Sequence, residues 1–104
     1  MTQQYLVGEL SSILGELQAL VPNGPAAREI AHLRLEAEAT PPRALAPLVG
    51  RAVALANRVG SDALATGAAA PFIRALAICA ELRALGVCAG YLADASPGGG
   101  TRPR

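Results

Sequence analysis

The stretch "IRALAICAELRALGVCAGYLADA", residues 73–95, is almost wholly apolar, yet Arg74, Glu81 and Arg83 interrupt it and two cysteines, Cys79 and Cys88, punctuate it. A membrane-spanning helix wants about 18 or more apolar residues free of charge. The longest uncharged run here is ten residues, 84–93, so the segment reads as a packed helix and not as a span. Ile78, Leu82, Leu85, Ala89 and Leu92 follow a 4-3-4-3 spacing, the seam of a helix pair. Phe72, Leu76 and Cys79 occupy a neighbouring face, and Ile73, Ala77, Ala80, Ala84 and Val87 a third. A helix that is apolar nearly all round must be covered nearly all round. The last helix is therefore expected at the centre of the fold.

The segments before it carry helix punctuation and no strand punctuation. "QQYLVGELSSILGELQALV" places Leu6, Leu10, Ile13, Leu14, Leu17, Leu20 and Val21 on one broad stripe, and Pro22, Asn23 and Gly24 close it. Gly8, Ser12, Gly15 and Ala19 form a small-residue stripe beside it, either a surface for close helix packing or a tolerated exposed face. "PAAREIAHLRLEAEA" opens with a proline suited to a first helical position, offers the narrow stripe Ala26, Ile30, Leu33 and Ala37, and places Arg34 and Glu38 to pair at i,i+4. "RALAPLVGRAVALANRV" is a strongly amphipathic third helix, with Gly60 as its expected stop and Ser61 and Asp62 capping a short helical turn. Pro71 then starts the last helix. The fold class is all-α, a small bundle of four main helices plus one short helical turn. Residues 1–95 form the single domain and 96–104, "SPGGGTRPR", a disordered tail.

At 104 residues, with 52% apolar side chains but only three aromatics (Tyr5, Phe72, Tyr91), the chain supports one core built from leucine against alanine. All nine basic residues are arginine, a bias that together with the alanine content points to a GC-rich, bacterial type of genome. The net charge is +1 and the arginines are spread along the chain, so no electrostatic footprint for nucleic acid or anionic lipid stands out. Glu9 and Glu16 interrupt the first apolar run and no basic leader region precedes it; cytoplasmic residence is the expectation.

The chemistry-bearing residues form no constellation. His32 is the single histidine, flanked by Arg28 and Glu36 on the polar face of the second helix; without a second ligand at helical spacing it makes no zinc site. Cys79 and Cys88 are nine apart, on nearly opposite faces and about 13 Å apart along a helix axis, so they do not bond to each other. Both read as small buried hydrophobes, with a redox role as the sharper alternative because Arg83 stands four residues after Cys79. The second helix, the "TPP" turn and the third helix have the outline of a helix-turn-helix, with Arg43, Arg51 and Arg58 as possible phosphate or base contacts. That face also carries Pro47, Gly50 and Ala54, poor for reading bases, so nucleic acid is not the expected partner.

With no catalytic set, no metal site and no cofactor fingerprint, the expected function is a non-enzymatic protein-interaction or homo-oligomerisation module, partnered by a second copy or another protein. Ile78, Leu82, Leu85 and Leu92 are its candidate interface, with Arg74 and Glu81, seven apart on one face, pairing across the boundary. The alternative is a binding site for a small apolar ligand around the last helix, bounded by Phe72, Leu76, Cys79, Leu82 and Tyr91.

Overall fold

The computed structural model describes residues 3–21, 23–41 and 44–94, with side chains from Tyr5 to Gly90 within those ranges. The tail 96–104 and Arg43 lie outside the described residues, as do the side chains of Tyr91 and Leu92. Four α-helices follow one another: α1 (Gln3–Leu20), α2 (Pro25–Ala39), α3 (Ala46–Ala65) and α4 (Ala69–Asp94). No strand occurs among the described residues. The fold is an all-α bundle.

Local chemistry sets the helix ends. Gly24, at φ +102°, turns the chain into α2 and Pro25 occupies the first helical position, where its missing N–H would have had no partner. Thr40 precedes Pro41, and the proline ring pushes its neighbour out of the helical region; Thr40 is extended, its N–H reaching back to the Ala37 carbonyl at 3.3 Å and its Oγ1 donating to the Glu36 carbonyl at 2.7 Å.

The expected break at Gly60 is corrected. The helix runs on to Ala65, and the segment read as a separate turn is its last part. Gly60 is buried, and a Cβ there would meet the Ala75 Cβ at 3.4 Å; this glycine lets α4 approach and does not stop the helix. The stop is Gly67, at φ +76°. The Ala68 N–H donates to the Ala63 carbonyl at 2.8 Å and the Gly67 N–H to the Leu64 carbonyl at 3.1 Å, the paired bonds of a Schellman ending. Thr66 Oγ1 also lies within bonding distance of the Asp62 and Ala63 carbonyls.

Two helical hairpins, α1–α2 and α3–α4, pack together around one apolar cluster. Leu10, Leu14 and Leu17 of α1, Ile30 and Leu33 of α2, Leu45 before α3, and Ile78 and Leu82 of α4 are its fully buried large side chains. No polar or charged side chain is buried among the described residues. The most extensive contact joins α3 to α4. There Ala52, Ala56, Ala75, Gly60 and Gly86 bring the backbones together, with the Val49 Cγ1 only 3.3 Å from where a Gly86 Cβ would stand. Small residues at the crossing allow the short end of the usual interaxial range.

The expected placement of the last helix is also corrected. α4 packs on α3 and α1 and does not touch α2, so it is an outer member of the bundle, covered on one side. The small-residue stripe of α1 is not the close-packing surface: Gly8, Ser12 and Ala19 are exposed, nothing stands within 4 Å of a Cβ at Gly8, and Gly15 lies under the Arg34 guanidinium at 3.7 Å. Arg34 turns to Gln18 of α1, donating from Nη1 to Oε1 at 3.0 Å, and not to Glu38.

Candidate functional site

The line of α4 that faces its own chain consists of Ala75, Ile78, Cys79, Leu82, Leu85 and Ala89, all buried. The seam proposed from sequence thus exists, and α1 and α3 close it within one chain. Ile78 and Leu82 are fully buried and Leu85 nearly so; they belong to the core and are out of reach of any partner. Arg74 and Glu81 are exposed. Arg74 Nη2 lies 3.2 Å from Glu16 Oε1 of α1, both side chains about half exposed, a contact worth at most about 1 kcal/mol.

Opposite the buried line stands a second apolar line. At 3.6 residues per turn, Ile73, Ala77, Ala80, Ala84 and Val87 all fall within about 45° of the direction pointing away from the bundle. All five are exposed, Ile73 at 63% and Val87 at 60% of full accessibility, with Leu76 at 52% beside them. A surface helix ordinarily puts its charges on this line. Here the charges are displaced to the flanks: Arg74 and Glu81 on the side of α1, Arg83 on the side of α3. Leu35 and Leu64, also exposed, stand on other helices as single side chains, which is normal for a protein surface.

The residues proposed for a ligand cavity come together only in part. Phe72, Leu76 and Cys79 line a cleft between α3 and α4 together with Asn57, Gly60 and Ser61. Leu82 lies in the core, away from it. The cleft holds about 180 Å³, below the roughly 300–1,000 Å³ of small-molecule sites. Cys79 Sγ is 3.2 Å from Asn57 Oδ1 at its floor. Burial pushes the Cys79 thiol up, and the nearby positive charge of Arg83 offsets this in part, so the group is held as a protonated thiol and not as a nucleophile. Cys88 is exposed and unpaired, contrary to the expectation that both thiols are buried, because it sits on the α1 flank of the outer face.

A larger cleft of about 440 Å³ runs between α2 and α3, past His32, Arg51 and Arg58. Its charges answer one another: Arg51 pairs with Glu36 at 3.0 Å and Arg58 with Glu29 at 2.6 Å. The hydrogen bond from Arg51 holds the Glu36 carboxyl below the usual range against a smaller opposing effect of burial, and its bond to Glu29 holds the Arg58 guanidinium up. Two of the three arginines that would touch phosphates in a helix-turn-helix, Arg51 and Arg58, are thus engaged with α2, and His32 is exposed beside them. Among the described residues no group of three His, Cys, Asp or Glu side chains is placed to hold a metal ion, and no helix is long and apolar enough to cross a membrane. Comparison of the chain with protein-family models, curated proteins and solved structures finds no match.

Proposed function

We propose that this protein is a non-enzymatic homo-oligomerisation module that self-associates through the outer face of α4. One observation carries the reading: the line of α4 farthest from the bundle is apolar over four turns, from Ile73 to Val87, and the charges stand to either side of it. A contiguous apolar patch rimmed by polar groups marks an interaction surface, and this one lies on a rigid helix whose other side is anchored in the core. Two unpaired thiols fit a reducing, cytoplasmic setting, and the arginine-only basic complement fits a bacterial genome.

Sedimentation velocity over a dilution series tests the reading, comparing the native chain with Ala80→Glu. Ala80 is exposed on the side of α4 away from the core, so the substitution leaves the fold intact, which circular dichroism verifies. The native chain sediments as an associating species whose mass falls on dilution, and Ala80→Glu as a monomer at every concentration. A native chain that stays monomeric throughout overturns the proposal.

A further inference from the structure

We infer that the occupant of this face is a second copy of the chain, with the two α4 helices packed antiparallel about a two-fold axis that passes between Ala77 and Ala80. The inference rests on the self-association reading above and gives its geometry. Ile73, Ala77, Ala80, Ala84 and Val87 repeat at 4-3-4-3, the period of a two-helix seam, and the buried seam of α4 already occupies the opposite side. The outer one is therefore free for an intermolecular pair.

Side-chain size selects the direction. In an antiparallel pair with Ala77 beside the partner's Ala80, Ile73 falls beside the partner's Ala84 and Val87 beside the partner's Ala70. Every layer then sets a bulky residue against alanine, or alanine against alanine, and all are exposed and available in the single chain. A parallel pair sets Ile73 on Ile73 and Val87 on Val87 with three alanine layers between; the bulky ends hold the axes apart and leave gaps at the centre. Even packing without voids favours the antiparallel form.

Charge is satisfied in the same direction. Arg74 and Glu81 lie on one flank of the seam, seven residues apart. Antiparallel packing brings this flank of one helix against the same flank of the other. Arg74 then stands about 3 Å along the axis from the partner's Glu81, and Glu81 equally from the partner's Arg74, while the two Arg74 side chains are about 13 Å apart axially. Two reciprocal ion pairs form and no like charges meet. Arg74 keeps donors to spare beyond its bond to Glu16, because the guanidinium carries five N–H groups. Parallel packing would oppose this flank to the other one, leaving Arg74 beside the partner's Leu76 and setting Glu81 about 3 Å along the axis from the partner's Arg83, so the Arg74–Glu81 pairing is particular to the antiparallel form and side-chain size is what selects it. A single helix pair of this length lies at the small end of protein interfaces, so the dimer exchanges with monomer on dilution.

Disulfide trapping in a Cys88→Ser background tests the direction. In the antiparallel dimer the two Ile73 positions are about 16 Å apart along the axis, as are the two Ala84 positions, beyond the reach of a disulfide. Ile73→Cys alone and Ala84→Cys alone yield no covalent dimer under mild oxidation, and a mixture of the two yields the mixed disulfide. A charge exchange supplies an independent readout. Arg74→Glu or Glu81→Arg weakens self-association by about tenfold, and the double variant regains it to within about threefold. Covalent homodimers of Ile73→Cys alone, or a double exchange no tighter than either single variant, overturn the antiparallel arrangement while leaving the interaction reading in place. A chain that sediments as a monomer overturns both.

Discussion

Gly50 and Gly86 invite the same substitution in opposite surroundings. Both lie inside helices, Gly50 in α3 and Gly86 in α4, so replacement by alanine removes the same backbone entropy from the unfolded chain and contributes about 0.8–1.0 kcal/mol at either position. At Gly50 nothing stands within 4 Å of the new Cβ, and Gly50→Ala is expected to raise the midpoint of thermal unfolding by about 4–8 °C. At Gly86 the new Cβ meets the Val49 Cγ1 at 3.3 Å, and Val49 is 3% exposed. A valine in a helix has essentially one side-chain rotamer, so it yields only by moving α3 from α4. Overpacking of this kind costs about 1–3 kcal/mol; the middle of that range outweighs the helix gain by about 1 kcal/mol, and Gly86→Ala is expected to lower the midpoint by about 4–8 °C. The assay is thermal unfolding followed by far-UV circular dichroism. Val49→Ala supplies the control: with that methyl removed, adding Gly86→Ala is expected to stabilise the chain by about 1 kcal/mol, and the coupling appears in the double-mutant cycle. Gly86→Ala raising the midpoint as much as Gly50→Ala while Val49 is in place would refute the close approach of α3 and α4.

Leu82 is fully buried at the junction of α4 with its neighbours, and Leu82→Ala is expected to cost about 2–5 kcal/mol in urea unfolding, a loss under about 1 kcal/mol speaking against its place in the core. The two thiols are expected to separate by reactivity: exposed Cys88 reacts rapidly with Ellman's reagent at neutral pH, whereas Cys79, buried and with its pKa held up, reacts only on unfolding. Two fast thiols in the native protein would contradict the burial of Cys79. The Glu36 carboxyl, whose pKa is lowered by its bond to Arg51, adds stability above the ordinary carboxylate range that is lost as pH falls through the folded-state value. Its carbon resonance is expected to titrate below that of a glutamate in a model peptide, and a normal midpoint in the native chain would count against the Arg51 contact.

The sequence makes the helices legible and their arrangement less so. Apolar period alone locates α1, α2 and most of α3, because each has one face to bury and one to solvate. It misassigns Gly60, since a helical glycine that stops a helix and one that admits a neighbour look alike in one dimension. Only the position of Ala75 and Phe72 across the gap separates them. The true stop carries its own signal, Thr66-Gly67 before Pro71, which the nearer glycine masks. α4 is the harder case. Its apolar residues surround the axis, so periodicity yields two complete seams, 78-82-85-89 and 73-77-80-84-87, and no local rule says which one the chain itself uses. The larger side chains, Ile78, Leu82 and Leu85, go inward because they bury more apolar area, leaving the alanine-rich seam outside. Arg34 likewise had two partners in reach, and tertiary contact with Gln18 prevailed over the local pairing with Glu38.

The outer face of α4 is the claim on which the functional account stands, and amide and methyl resonances recorded across a dilution series test it residue by residue. Concentration-dependent shifts are expected at Ile73, Leu76, Ala77, Ala80, Ala84 and Val87, with α2 and the inner line of α4 unmoved. Spectra independent of concentration, or shifts centred on α2, would contradict it.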